Sequence, residues 1–137
     1  MQSKVARLRA VCWIGAFVDL IFAIAMITPS LWSWMLGIGG YDPTLIHRLD
    51  MGVGASLMFG WTMLLLWASH NPVERRGVIA LTIFPVITGL GITSALAIYT
   101  GVNSIGNLIW VFGMKVILVA IFAYGFLAAR RLAAEAA

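Results

Sequence analysis

Charged side chains are scarce in this chain of 137 residues: only 10% are Asp, Glu, Lys or Arg, whereas 62% are hydrophobic. The mean hydropathy is +1.00. A soluble domain of this length needs far more polar surface to cover its apolar core. The composition therefore excludes an ordinary soluble domain and indicates a membrane protein.

Cysteine and catalytic motifs are equally sparse. The single cysteine, Cys12, excludes an intrachain disulfide and a cysteine-based metal cluster. The chain contains no glycine-rich phosphate loop, no H-E-x-x-H, no C-x-x-C and no G-x-S-x-G. His47 and His70 fall on opposite sides of the membrane in the topology argued below, so they are not expected to share a haem or metal. No motif therefore assigns a catalytic residue, and we expect no metal and no cofactor.

Four long apolar segments dominate the sequence, at residues 8–29, 51–69, 77–100 and 108–129. Each is close to the ~20 residues that cross the hydrocarbon layer as a helix. They lack the alternation of a membrane β-strand, and the backbone in lipid must bond internally, so helices are expected. The predicted fold is an all-α, integral membrane four-helix bundle in a single domain, 1–137. With turn and capping residues included, the predicted helices are about 8–29, 43–69, 72–100 and 105–131.

The basic residues predict the orientation. Arg48 lies alone on one side of the predicted bundle, and seven basic residues lie on the other: Lys4, Arg7, Arg9, Arg75, Arg76, Arg130 and Arg131. Cytoplasmic loops carry the excess of Lys and Arg. We therefore expect both termini in the cytoplasm and the protein in the cell inner (plasma) membrane. The net charge of +4 then reflects contact with anionic lipid rather than with nucleic acid.

Small residues indicate where the helices pack. One face of the first span carries Gly15, Ala16, Asp19 and Ala23, and a face of the second carries Gly52, Ser56 and Gly60. Small side chains let membrane helices approach closely. Pro85, one turn before Gly89, predicts a kink in the third span, with the freed carbonyl satisfied by a hydroxyl, water or a neighbouring helix.

Two charged residues, Asp19 and Lys115, lie inside the apolar spans at similar predicted depth. An unpaired charge there costs a few kcal/mol, so a direct or water-bridged pair is one explanation. The other is that Lys115 extends to the outer headgroups while Asp19 is protonated or bonded to a hydroxyl such as Thr88 or Thr93.

Intramembrane ionisable groups often mark a ligand site or a solute path. Asp19 and Lys115 could lie at the base of a cavity that opens to the outer side. Its mouth would be formed by Tyr41, Asp42, His47, Arg48, Asp50, Tyr99 and Trp110. The alternative for the mouth is a solvated start of the second helix, with His47, Arg48 and Asp50 at the interface.

Two stretches, HRLDMGVGASLMFGW and NPVERRGVIALTIFPVITGL, together with the layout of the spans, resemble the small four-span prokaryotic proteins grouped as DoxX-like. The resemblance implies no activity. Three functions are therefore considered. The first is a non-catalytic partner subunit or assembly factor of a membrane complex, with the lipid bilayer, another membrane protein or a second copy as partner. The second is a carrier or binder of a small solute or lipid. The third is a membrane enzyme acting on an apolar substrate, with Asp19, His47 or Asp50 as acid or base.

Overall fold

The computed structural model describes residues 2–39 and 41–135 and contains five helices in that part of the chain. The first two, α1 and α2, are separated only by Thr28, and the other three follow after loops. In chain order they are α1 (Gln2–Ile27), α2 (Pro29–Leu36), α3 (Leu45–His70), α4 (Arg76–Tyr99) and α5 (Ile105–Glu135).

Four of these helices, α1, α3, α4 and α5, are long and apolar enough to cross a membrane. The predicted all-α architecture with four spans packed together is therefore confirmed. Helix α2 was not predicted: Pro29 occupies its first turn, and Gly37, with a φ of 65°, ends it. Proline suits the first turn of a helix and glycine its end, so the segment after Thr28 folds as a short separate helix.

Helix starts differ from the prediction by a few residues. Thr44 caps α3 by accepting a bond from the backbone N–H of His47 at 3.3 Å, so α3 begins at Leu45. Asn71 donates instead to the Glu74 side chain, and residues 72–75 form a turn before α4 begins at Arg76. Side-chain capping therefore sets the start of α3, whereas α4 begins after the turn without a side-chain cap.

Both described chain ends lie at the same end of the bundle. Leu8 of α1 packs with Ala129 and Leu132 of α5, and Lys4 lies 3.6 Å from the Glu135 carboxylate. We call this end the terminal end. We call the opposite end, which carries α2 and the α4–α5 loop, the α2 end.

The half of the bundle nearer the terminal end contains the main core. Phe122 of α5 is its largest buried side chain, at 1% exposure, and packs with Leu65 of α3, Ile79 of α4 and Cys12 of α1. Gly15 lies directly against the Phe122 ring, and a Cβ at Gly125 would lie 3.1 Å from Val11. The predicted packing face of α1 is confirmed, since Gly15, Ala16, Asp19 and Ala23 are all buried.

The small-residue face predicted on α3 does not pack within the bundle. A Cβ at Gly52 or Gly60 would meet nothing within 4 Å, whereas one at Gly54 would overlap the Met26 side chain of α1. Positions 52 and 54 are two residues apart, which places them on nearly opposite sides of a helix. The face with Gly52, Ser56 and Gly60 therefore points away from the other helices.

Helix α4 changes direction near Pro85, as predicted. Within Thr82–Ile87 the helix is interrupted by a kink, where Phe84 has extended backbone angles, φ −133° and ψ 118°. Two hydroxyls bond to carbonyls around the bend, Thr82 to Val78 at 2.8 Å and Thr88 to Ile83 at 2.9 Å. The Trp61 indole of α3 also donates to Thr82, at 3.1 Å. Beyond the bend, none of residues 88–99 is buried.

Two asparagine side chains join the end of α2 to the α4–α5 loop and to α5. Asn103 donates to the Leu36 carbonyl and Asn107 to the Gly37 carbonyl, each at 3.2 Å. Trp32 of α2 contacts Phe22 of α1 edge to face, with ring centroids 6.5 Å apart. These contacts hold α2 across the end of the bundle and leave space between it and the core.

Candidate functional site

A cavity of about 340 Å³ lies between the helices, between α2 and the main core. We call it the central cavity. All five helices contribute to its lining, which is mostly apolar, and five lining side chains are polar: Asp19, Thr93, Ser94, Asn103 and Lys115. The cavity exists because α4 beyond Pro85 does not pack closely on α1 and α5.

Asp19 lies on the wall of the central cavity that α1 forms. The residue is 9% exposed, and its Oδ2 atom is fully buried with no hydrogen-bond partner in the part of the chain that the structure describes. Buried carboxyl oxygens are normally bonded, since an unmet acceptor carries the full cost of desolvation. Asp19 therefore lines the central cavity with a carboxyl group whose hydrogen-bonding capacity is not fully used.

Lys115 lies on the α5 wall and reaches across to α4. Its ammonium donates to the Leu90 carbonyl at 2.8 Å and to the Ser94 hydroxyl at 2.6 Å. It also lies 5.4 Å from the centre of the Phe112 ring. A carbonyl, a hydroxyl and a ring face thus surround the charge without a carboxylate.

The structure brings Asp19 and Lys115 to the same cavity, but Lys115 bonds to α4 and not to Asp19. The ion pairs among the described residues are Lys4–Glu135 and Arg48–Asp42. Side chains lean toward the N-terminus of their own helix, so in antiparallel α1 and α5 the two charges lean apart. The proposed hydroxyl partners of Asp19 are also engaged elsewhere, since Thr88 donates to Ile83 and Thr93 to Gly89.

Two of the other predicted site residues, Tyr41 and Arg48, line a separate cavity of about 160 Å³ near Met26 and Pro43. Arg48 lies 3.4 Å from Asp42 and donates to the Pro43 carbonyl at 3.2 Å. The Tyr41 hydroxyl is buried. Burial raises the pKa of Tyr41 above its usual value, and the Arg48 charge offsets only part of that shift. These groups lie at the α2 end but outside the central cavity.

The remaining predicted residues are more exposed. His47 contacts the Tyr41 ring edge to face, with centroids 5.8 Å apart, and Asp50 is exposed on the first turns of α3. Tyr99 is 88% exposed, and Trp110 is also exposed. None of these four side chains lines the central cavity.

Sequence analysis did not identify Ser94 and Leu90 as the partners of Lys115, nor Asn103 as a link to α2. One signal was available for Ser94. It precedes the α4–α5 loop more closely than Lys115 follows it. The Lys115 side chain leans toward the N-terminus of α5, however, and can therefore reach hydroxyls of α4 nearer the loop.

No group of three His, Cys, Asp or Glu side chains within residues 2–39 and 41–135 is arranged to hold a metal ion. The central cavity contains one acid and one base. Asp19 has a carboxyl oxygen without a partner, whereas Lys115 donates to Leu90 and Ser94 of α4. The chemistry of the cavity suits binding of a mostly apolar molecule with one polar group.

No protein-family model, no curated protein and no solved structure matches the chain. The structure has four long apolar helices, as expected of a small four-span membrane protein. The fold itself defines the class: a small, all-helical, multi-pass membrane protein in contact with the lipid bilayer.

Proposed function

We propose that the protein binds a small, mostly apolar molecule in the central cavity and acts as a carrier or binding protein for it. The observation that supports this function is the buried, unpartnered Asp19 carboxyl on the wall of a cavity of about 340 Å³. That volume lies within the ~300–1,000 Å³ of small-molecule sites, which are typically apolar with a few polar groups.

The open packing of α4 beyond Pro85 supports the same function. Residues 88–99 contain no buried side chain, although six residues of α4 beyond Pro85 line the cavity: Val86, Ile87, Leu90, Thr93, Ser94 and Ala97. A segment held by few contacts moves at low energetic cost. Displacement of this part of α4 would admit a ligand from the bilayer.

A pair of alanines on α4 offers a direct test. Ala97 lines the central cavity, whereas Ala95, two residues away, is exposed and does not. The protein is purified in mild detergent and bound small molecules are identified by mass spectrometry. Ala97→Phe should fill the cavity and remove the bound molecule, while Ala95→Phe should retain it. Equal occupancy in the two variants would contradict the proposal.

A second candidate function is a partner subunit or assembly factor of a membrane complex. The face with Gly52, Ser56 and Gly60 supports it, because small residues favour helix contacts in lipid and this face contacts no helix of the bundle. Pull-down in mild detergent tests this function. Gly60→Leu should then remove a co-purifying protein or a second copy, and Ala97→Phe should not.

The proposal places the terminal end in the cytoplasm and the protein in the inner (plasma) membrane. The support is the set of seven basic residues at that end against Arg48 at the other. Reporter fusions at both termini and at Asn71 should report the cytoplasm, and tags at Gly39 and Ser104 the outside. A cytoplasmic signal at Gly39 would contradict this orientation.

A further inference from the structure

We infer that the central cavity selects a lipophilic amine, whose ammonium group binds the Asp19 carboxylate while its apolar body fills the remaining space. This inference rests on the proposed function and specifies the class of ligand. It depends on which polar groups of the cavity lack a partner.

Four of the five polar lining side chains already have partners. Thr93 donates to Gly89 at 3.0 Å, Ser94 to Leu90 at 2.9 Å, and Asn103 to Leu36 at 3.2 Å. Lys115 donates to Leu90 and Ser94. Asp19 alone among the five has a fully buried polar atom without a partner. An ionised carboxyl only accepts hydrogen bonds, so the ligand group that suits an ionised Asp19 is a donor.

The local charges favour a cationic donor over a neutral one. The Lys115 ammonium is directed to α4, and Asp19 takes part in no ion pair within residues 2–39 and 41–135. An ammonium group supplies both the donor and the charge, and charge-assisted hydrogen bonds are about twice as strong as neutral ones. An anionic ligand would instead bring a second negative charge beside a carboxyl that already lacks a donor.

The rest of the cavity suits an apolar body. Phe22 and Trp32, which contact each other edge to face, line the cavity, and so do Met114 and Leu118 of α5. Methionine and aromatic side chains accept varied apolar shapes. A bicyclic aromatic ring with a one-carbon linker to the amine is a suitable probe.

Three probes with one skeleton test the inference: 1-naphthylmethylamine, 1-naphthylmethanol and 1-naphthoate. Their affinities for the full-length protein in detergent are measured by isothermal titration calorimetry. We expect the amine to bind about tenfold more tightly than the alcohol, and the carboxylate most weakly. This comparison uses the unaltered protein and so does not depend on the folding of a variant.

Variants then assign the preference to Asp19. Asp19→Asn should abolish the preference for the amine, whereas Glu135→Gln should preserve it, because Glu135 is an exposed acid at the terminal end. Lys115→Met should also preserve it. If all three probes lose their binding in Ala97→Phe, they bind in the central cavity.

The possible failures are distinguishable. Equal affinities for amine and alcohol, both lost in Ala97→Phe, would overturn the amine inference and leave cavity binding intact. Tightest binding of the carboxylate, lost in Lys115→Met, would also overturn it and assign recognition to Lys115. Absence of binding by every probe would overturn both the inference and the proposed binding function.

Discussion

The two parts of α4 on either side of its bend pack very differently. Before the bend, Val78, Ile79 and Thr82 are buried. After it, Ile87 still packs into the main core, but none of residues 88–99 is buried. Both parts are apolar, so composition does not explain the contrast. The bend at Pro85 directs the second part away from the core, and the central cavity occupies the space that this leaves.

The glycines show the same contrast. Gly15 and Gly125 lie against side chains of a neighbouring helix, at Phe122 and Val11, while a Cβ at Gly89 or Gly91 of α4 would meet nothing within 4 Å. In lipid, helices associate through close packing and hydrogen bonds rather than through the hydrophobic effect. The core near the terminal end therefore stabilises the bundle, and the cavity half leaves polar groups available for binding.

The largest effect is expected from Phe122→Ala, which removes the largest buried side chain of the core. The cavity created should lower the free energy of unfolding by about 3 kcal/mol. Phe17→Ala is the control, because Phe17 is 64% exposed and its removal should change stability by less than about 0.5 kcal/mol. Unfolding in mixed micelles, followed by tryptophan fluorescence, measures both. Equal losses would show that the core does not determine stability.

A smaller loss is expected from Gly15→Leu. The added side chain would overlap the Phe122 ring and would start 3.1 Å from Leu65. Overpacking of this kind costs about 1–3 kcal/mol, more than the ~1 kcal/mol gained by replacing glycine in a helix. Gly60→Leu, with nothing within 4 Å of its Cβ, should be neutral or stabilising in the same unfolding measurement. If Gly60→Leu were destabilising, the face of α3 with Gly52, Ser56 and Gly60 would have to make a contact.

Ser94→Ala tests the attachment of α4 to Lys115 in the cavity half. It removes one acceptor, at 2.6 Å from the ammonium, and should cost about 0.6 kcal/mol, the average for such bonds in membrane proteins. Thr93→Val is the control, because the Thr93 hydroxyl bonds only to Gly89 of its own helix. If the two variants lose the same stability, the bond between α4 and α5 contributes nothing specific.

The smallest effect is the coupling between Asp19 and Lys115. Since Lys115 bonds to Leu90 and Ser94, the effects of Asp19→Asn and Lys115→Met on unfolding should add within about 0.5 kcal/mol. A double-mutant cycle measures the coupling. Recovery of stability in the double variant by more than about 1 kcal/mol would indicate a direct pair and would contradict the contacts of Lys115 with α4.

The helices that the sequence predicted well are those whose formation depends on local chemistry. Unbroken apolar runs must be helical in lipid because their backbone groups have no other partners, and Pro85 bends α4 because it removes a backbone donor. Helix α2 was not predicted, because a helix of only eight residues is marginally stable on its own. Its carbonyls at Leu36 and Gly37 are bonded by Asn103 and Asn107, far along the chain.

The candidate site was predictable in part. Asp19 and Lys115 stand out by sequence because a charge in an apolar span is costly, and both line the central cavity. Tyr41, His47, Arg48, Asp50 and Tyr99 were grouped with them by side of the membrane alone, which does not specify which side chains face inward. In the structure these side chains do not line the central cavity. Hydropathy predicts the depth of a residue in the membrane but not the direction in which its side chain points, so the sequence could not show this.

The amino-acid sequence by itself determined the number of spans, their helical character, the bend at Pro85 and the burial of the Gly15 face. Each follows from the solvation of backbone and side chains in lipid, which acts on neighbouring residues. The tertiary structure alone decided that Lys115 bonds to Ser94 and Leu90 and that Asp19 has a buried oxygen without a partner. These contacts depend on the rotation and separation of whole helices, which the packing of distant side chains sets collectively.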